Sequence, residues 1–162
     1  MSEAQREGGC GCGQVRYRLA GDPILVNNCY CTLCQRQTGS TCVVNAFYET
    51  ERVQLLQGHL VTHEMAAGSG KPHYVKRCAH CGTALWSHYP RMGEFGAGVR
   101  VGTLDDPAAL RPDAAIFVAD RMPWVTLPEG VPAFERNYRA ADILPPGRLA
   151  RLEALVARHA AQ

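Results

Sequence analysis

The chain has 162 residues, 46% of them hydrophobic and 20% charged, the balance of a soluble globular protein with room for one sizeable core. Its net charge of +2 gives no electrostatic footprint for nucleic acid or an anionic membrane. No apolar run reaches the roughly 18 residues of a spanning helix, and the polar stretch Met1 to Gly9 lacks the apolar centre of a secretory signal. A single domain over residues 1–162 in the cytoplasm is therefore expected, without a membrane or nucleic-acid partner and with a homo-oligomer left open.

Strand signals dominate in chain order. Val15, Tyr17 and Leu19 alternate with Gln14, Arg16 and Arg18, which predicts a half-buried strand. Val43 to Tyr48, Arg52 to Gln57 and Leu60 to Met65 read the same way. Gln57-Gly58-His59 reads as the turn of a hairpin joining the last two, with His59 and His63 on it. Ala84 to His88, Gly96 to Val101 and Ala115 to Ala119 are further short strands bounded by Gly, Pro or Asp. Leu104-Asp105-Asp106-Pro107 reads as a turn leading toward Leu110. After the Pro145-Pro146-Gly147 break, Leu149, Leu152, Leu155, Val156 and His159 recur at helical spacing, so Arg148 to Ala160 should be an amphipathic helix. The fold class is mainly β: short antiparallel strands with few helices and no internal repeat.

Seven of the eight cysteines fall into three groups: Cys10 and Cys12; Cys29, Cys31 and Cys34; Cys78 and Cys81. In a reducing compartment such density points to metal or catalysis rather than disulfides. On an extended strand Cys10 and Cys12 would share one face. Cys78-Ala79-His80-Cys81-Gly82 has the spacing of a zinc knuckle, in which the glycine takes a positive φ. Together the two pairs supply the four thiolates of a structural zinc site. Cys29, Cys31 and Cys34 supply three, the ligand number of a zinc site with an exchangeable position. Cys42, in an apolar stretch, reads as a buried strand cysteine rather than a fourth ligand. The six histidines read as exposed or hydrogen-bonded polar groups.

The pieces Cys10-Gly-Cys12-Gly-Gln-Val-Arg-Tyr17, Cys29-Tyr-Cys31-Thr-Leu-Cys34-Gln-Arg-Gln-Thr-Gly39 and Lys76-Arg-Cys78-Ala-His-Cys81-Gly-Thr-Ala-Leu85, in this order, resemble the glutathione-dependent formaldehyde-activating enzyme family, also called the centromere protein V domain family. Val101-Gly-Thr-Leu-Asp-Asp106 and Pro123-Trp-Val125 extend the resemblance to about residues 8–138. It implies a β-tent of stacked antiparallel sheets. It implies one structural zinc on Cys10, Cys12, Cys78 and Cys81, and a catalytic-type zinc on Cys29, Cys31 and Cys34. The implied activity is a carbon–sulfur lyase type, joining glutathione and formaldehyde as S-hydroxymethylglutathione. Members often carry a histidine before the Ile-Phe strand, where this chain has Ala114-Ala115.

Arg36, Gln37, Thr38 and Ser40, directly after the second cysteine group, are candidates for holding an acidic thiol such as glutathione. The alternative reading is a zinc-stabilised interaction domain without enzymatic activity.

Overall fold

The computed structural model describes residues 4–162; Met1, Ser2 and Glu3, the start of the polar N-terminal stretch, lie outside the described residues. Among the described residues the fold is mainly β, with eleven strands in two sheets and a C-terminal helix. The smaller sheet has the antiparallel order β1 (Gln5–Gly9), β2 (Arg16–Ala20), β5 (Val53–Gln57). The larger runs β11 (Ala133–Phe134), β10 (Ala114–Ile116), β3 (Leu25–Cys29), β4 (Val43–Glu49), β9 (Gly96–Arg100), β8 (Ala84–His88), β7 (Pro72–Cys78), β6 (Leu60–Ala66). The helices are α1 (Thr32–Thr38) and α2 (Pro146–Ala160).

Three sequence expectations change. The turn at Gly58 does not close a hairpin, because β5 pairs with β2 and β6 pairs with β7. Gly58 instead carries the chain from one sheet to the other. Its φ is +89°, and a Cβ there would lie 2.4 Å from the Gln14 carbonyl oxygen, so only glycine fits. The sheet is not wholly antiparallel: β10 runs parallel to both β3 and β11, as the long return path from β3 through β9 permits. The strand expected over Ala115 to Ala119 stops at Ile116, because Phe117 enters the left-handed region at φ 55° and a 3-10 turn follows over Val118–Asp120.

The core forms where the two sheets face each other. Val15, Tyr17 and Leu19 from the β2 region meet Ala46, Tyr48, Trp86 and Val99 of the larger sheet, with Tyr17 and Trp86 edge-to-face at 5.7 Å. Burying such aromatic pairs contributes about 1 kcal/mol beyond the area they hide. A second cluster sets Leu152 and Leu155 of α2 against Ile24, Leu25 and Met92, the stripe expected of this helix. Asp113 fastens α2 from the other side: its carboxylate accepts from the Val26 amide at 2.8 Å and pairs with Arg148. Packing at the start of β3 thus fixes the strand that delivers Cys29.

Candidate metal centres

Cys10, Cys12, Cys78 and Cys81 converge so that their sulfurs lie within 4.8 Å of one another. Cys10 and Cys12 reach this point from a tight turn after β1, not from a strand: the Gly13 amide donates to the Cys10 carbonyl and the Cys10 amide to Val15. Cys78 ends β7, and the loop to Cys81 closes through the Gly82 amide on the Cys78 carbonyl, with Gly82 at φ +76° as its spacing predicts. Thr83, which sequence reasoning passed over, joins the two loops; its hydroxyl accepts from the Gly11 amide at 3.2 Å and contacts the Cys81 sulfur at 3.1 Å. The Cys10–Cys12 and Cys12–Cys78 sulfur separations are 3.4 and 3.9 Å. A zinc tetrahedron with bonds of about 2.3 Å has edges of about 3.8 Å, close to these two separations.

Cys29, Cys31 and Cys34 form the second cluster, again with sulfurs within 4.8 Å of one another. Cys29 ends β3, paired with Val43 on one side and Ile116 on the other. Cys31 caps α1, its sulfur accepting from the Cys34 amide at 3.3 Å, and Gly39 ends the helix at φ 65°. Gln35 secures this short helix, its side-chain amide donating to the carbonyls of Tyr30 and Asp120. The three thiols crowd one another. Hydrogen bonding with Cys31 pushes Cys29 far up, the Cys29 contact pulls Cys31 well down, and burial adds to the cost for Cys29. Contact with Cys29 and the Arg100 charge pull Cys34 down, but Cys31 and burial leave it raised to about 11. Only part of the cluster can ionise on its own; a thiophilic cation lets all three do so. Both clusters could hold metal ions.

Cys42 is not in the second cluster. It sits half-buried just before β4 and lines a separate groove with Val44, Thr83 and Leu110. The expectation of a buried strand cysteine does not hold, since Cys42 is half-exposed and precedes the strand, and among the described residues no fourth His, Cys, Asp or Glu joins the three.

The three cysteines open onto a cavity of about 460 Å³. Its apolar walls include Phe47, Tyr89, Ile116 and Phe117, and its polar groups include Asn45, His73, Arg91, Asp120 and Arg136. Of the four residues expected after the cysteines, Gln37 lines this cavity and Thr38 lines the neighbouring groove. Arg36 and Ser40 are exposed and line neither. Thr38 caps inward, its hydroxyl donating to the Cys34 carbonyl at 2.9 Å.

His73 meets the expectation of a hydrogen-bonded histidine at one ring nitrogen only. It is 4% exposed, tilted against Tyr89 at 5.0 Å, and burial together with the Arg100 charge holds its pKa below the usual value. Arg100 has only donors to offer, so it takes the Gln37 side-chain carbonyl. The Gln37 amide nitrogen then donates to His73 Nε2 at 3.1 Å, which places the ring hydrogen on Nδ1, an atom without a partner among the described residues. Phe117 stands over the cysteines in a conformation rare for a non-glycine residue, and such strain gathers at functional sites.

A two-sheet β fold built around two thiol-rich centres, one of them beside a cavity, defines the class. The chain matches the glutathione-dependent formaldehyde-activating enzyme family over residues 5–120 and belongs to that family. A curated relative from Halomonas elongata, provisionally named a glutathione-dependent formaldehyde-activating enzyme, is 30% identical over an alignment of 102 positions that covers 55% of this chain. The match spans 59% of that relative's length. The crystal structure of a Rhodobacter sphaeroides protein is similar at 20% identity and a TM-score of 0.46, over 65% of this chain and 91% of the other. Among the described residues no helix is long and apolar enough to cross a membrane.

Proposed function

We propose that this chain is one zinc-binding domain that joins formaldehyde to, or releases it from, the sulfur of a small acidic thiol such as glutathione, a carbon–sulfur lyase-type activity. The observation that carries the reading is the second cluster: three thiols at the floor of a cavity with no fourth protein ligand among the described residues. The four-cysteine cluster is assigned a structural zinc. The three-cysteine cluster is assigned the zinc of the reaction, which supplies a Lewis acid able to ionise a thiol near neutral pH.

The chain's own residues do the rest. Cys29, Cys31 and Cys34 define where the substrate sulfur must arrive. Phe47, Ile116 and Phe117 limit water around it. Arg91 and Arg136 on the cavity wall offer charge to the carboxylates of an acidic thiol. In the forward direction the thiol loses its proton, a sulfur–carbon bond forms, and the carbonyl π pair becomes a hydroxyl that takes up one proton. The balance is redox-neutral and needs no further reactant.

The test is formation of S-hydroxymethylglutathione from glutathione and formaldehyde above the spontaneous rate, followed by NMR. Cys31→Ser should remove both the acceleration and glutathione binding while the fold survives. A wild-type protein with two metal equivalents that neither binds glutathione nor accelerates the reaction would favour a zinc-stabilised interaction domain.

A further inference from the structure

We propose that Arg100 is the buried counter-charge and positioning residue of the Cys29, Cys31, Cys34 centre. The inference rests on the reading of that cluster as a metal centre. Arg100 ends β9 and is 5% exposed. A guanidinium stays charged under all conditions a protein meets, and an unpaired buried charge is strongly unfavourable. Yet every acceptor it uses is neutral: Asn45 Oδ1, Gln37 Oε1, Ser87 Oγ at 2.9 Å and Tyr89 Oη at 3.1 Å. Among the described residues no carboxylate pairs with it.

The missing negative charge lies across the cavity wall. Gln37, Asn45 and Tyr89, three of the four acceptors, line the same cavity as the cysteines. Three thiolates outweigh a divalent cation by one negative charge, so an occupied centre is a buried monoanion that Arg100 balances. Position matters as well as charge. Gln37 lies one turn after Cys34 on α1, and residues three apart share a helix face. The Arg100–Gln37 bond therefore holds the helix that carries Cys34. Gln37 passes the restraint on through its amide to His73 and to Met65 Sδ at 3.3 Å, on β7 and β6.

The experiment is metal stoichiometry and competitive chelation on the full chain, comparing wild type with Arg100→Gln, Arg100→Lys and Gln37→Leu. The wild type should hold two equivalents. Arg100→Gln should weaken the three-cysteine centre by about 10–100-fold, the usual cost of losing an outer-shell partner, and leave the four-cysteine centre unchanged. Arg100→Lys, which keeps the charge, should recover most of that loss. Gln37→Leu, which cuts the link to α1 and leaves Arg100 in place, should weaken the same centre by about tenfold and serves if Arg100→Gln does not fold. Unchanged affinity in Arg100→Gln, or in Gln37→Leu if that variant must serve, overturns the proposal, as does equal weakening of both centres. A wild type with only the four-cysteine metal would overturn it together with the metal reading on which it rests.

Discussion

Glu49 on β4 and Arg151 on α2 meet as a two-point pair, with Arg151 Nε and Nη2 each 2.7 Å from a different Glu49 oxygen. The Arg151 donors also reach the Asp22 carbonyl at 3.1 Å, so one side chain ties the C-terminal helix to the larger sheet and to the loop before β3. Burial alone would raise the Glu49 pKa, but Arg151, a backbone hydrogen bond and the Arg52 charge together outweigh it and hold the carboxylate below its usual range. A carboxyl whose folded pKa is depressed contributes stability above its unfolded value, and that contribution is lost as the pH falls through the folded value. Glu49→Gln should cost about 1–2 kcal/mol at neutral pH. The deficit should shrink as the pH is lowered through the usual carboxylate range and below it; denaturant titrations of both proteins across that range measure it.

The four-cysteine centre should decide whether the two sheets stay together. Cys78 is 1% exposed and belongs both to that centre and to the core between the sheets. Cys78→Ser should lose one metal equivalent and the cooperative unfolding transition, since structural zinc supplies folding free energy on the order of 10 kcal/mol. Metal analysis and a thermal melt report both. An unchanged melt with full metal content would refute the assignment.

The three-cysteine centre should release its metal first. Three ligands beside a cavity hold less firmly than four, and mild chelation should remove one equivalent while circular dichroism stays native. Loss of both equivalents in a single step, with unfolding, would contradict two independent centres.

Gly58→Ala tests the crossover between the sheets. The new methyl would meet the Gln14 carbonyl and Val15 in a backbone already at positive φ. We expect a loss of about 2–4 kcal/mol, read as a lowered denaturation midpoint with an unchanged slope.

Arg136→Ala should raise KM for glutathione with a smaller effect on kcat. Arg136 is held only loosely by Asp120, at 3.8 Å with its side chain 71% exposed, so its loss should leave stability nearly unchanged.

The parts of the fold legible in the sequence are mostly those where one face meets water, together with the fully buried β9, which its flanking glycines mark. The β2, β4 and β8 segments alternate or stand between clear breaks, and α2 shows its apolar stripe, extending two residues earlier than expected, to Pro146. Of the strands that went unread, β1 and β3 lack that contrast, whereas β7 shows it over Pro72 to Val75. All five residues of β3 are buried, Asn27 and Asn28 among them, so no alternation marks it. β1 reads Gln-Arg-Glu-Gly-Gly, and its Gly8 is required because Tyr17 and Thr103 press against it, a tertiary reason invisible in a window of residues. α1 is seven residues long and is held by a cysteine cap and the Gln35 bonds rather than by periodicity.

The cysteine groupings were legible because metal-ligand spacing is local. Arg100, Gln37, His73 and Phe117 show why the surroundings of the cavity were not. Their partners come from α1, β4, β7, β8 and the segment after β10, and no spacing rule connects them. Gln37 alone was singled out, as a substrate contact, and its hydrogen bonds show it also serving as a brace for α1.

Cys12 and Cys78 stand 66 positions apart in the chain, which sets an order for events on the ribosome. The first pair of thiols emerges with β1, long before its partners exist. A nascent chain shorter than about residue 81 therefore has no complete four-thiol grip, and the smaller sheet must wait, unclamped, for the second loop. Truncated translation products ending in β7 should be metal-poor at this centre and readily cut by proteases, and protection should appear only once β8 and β9, which join β7 to β4, have followed.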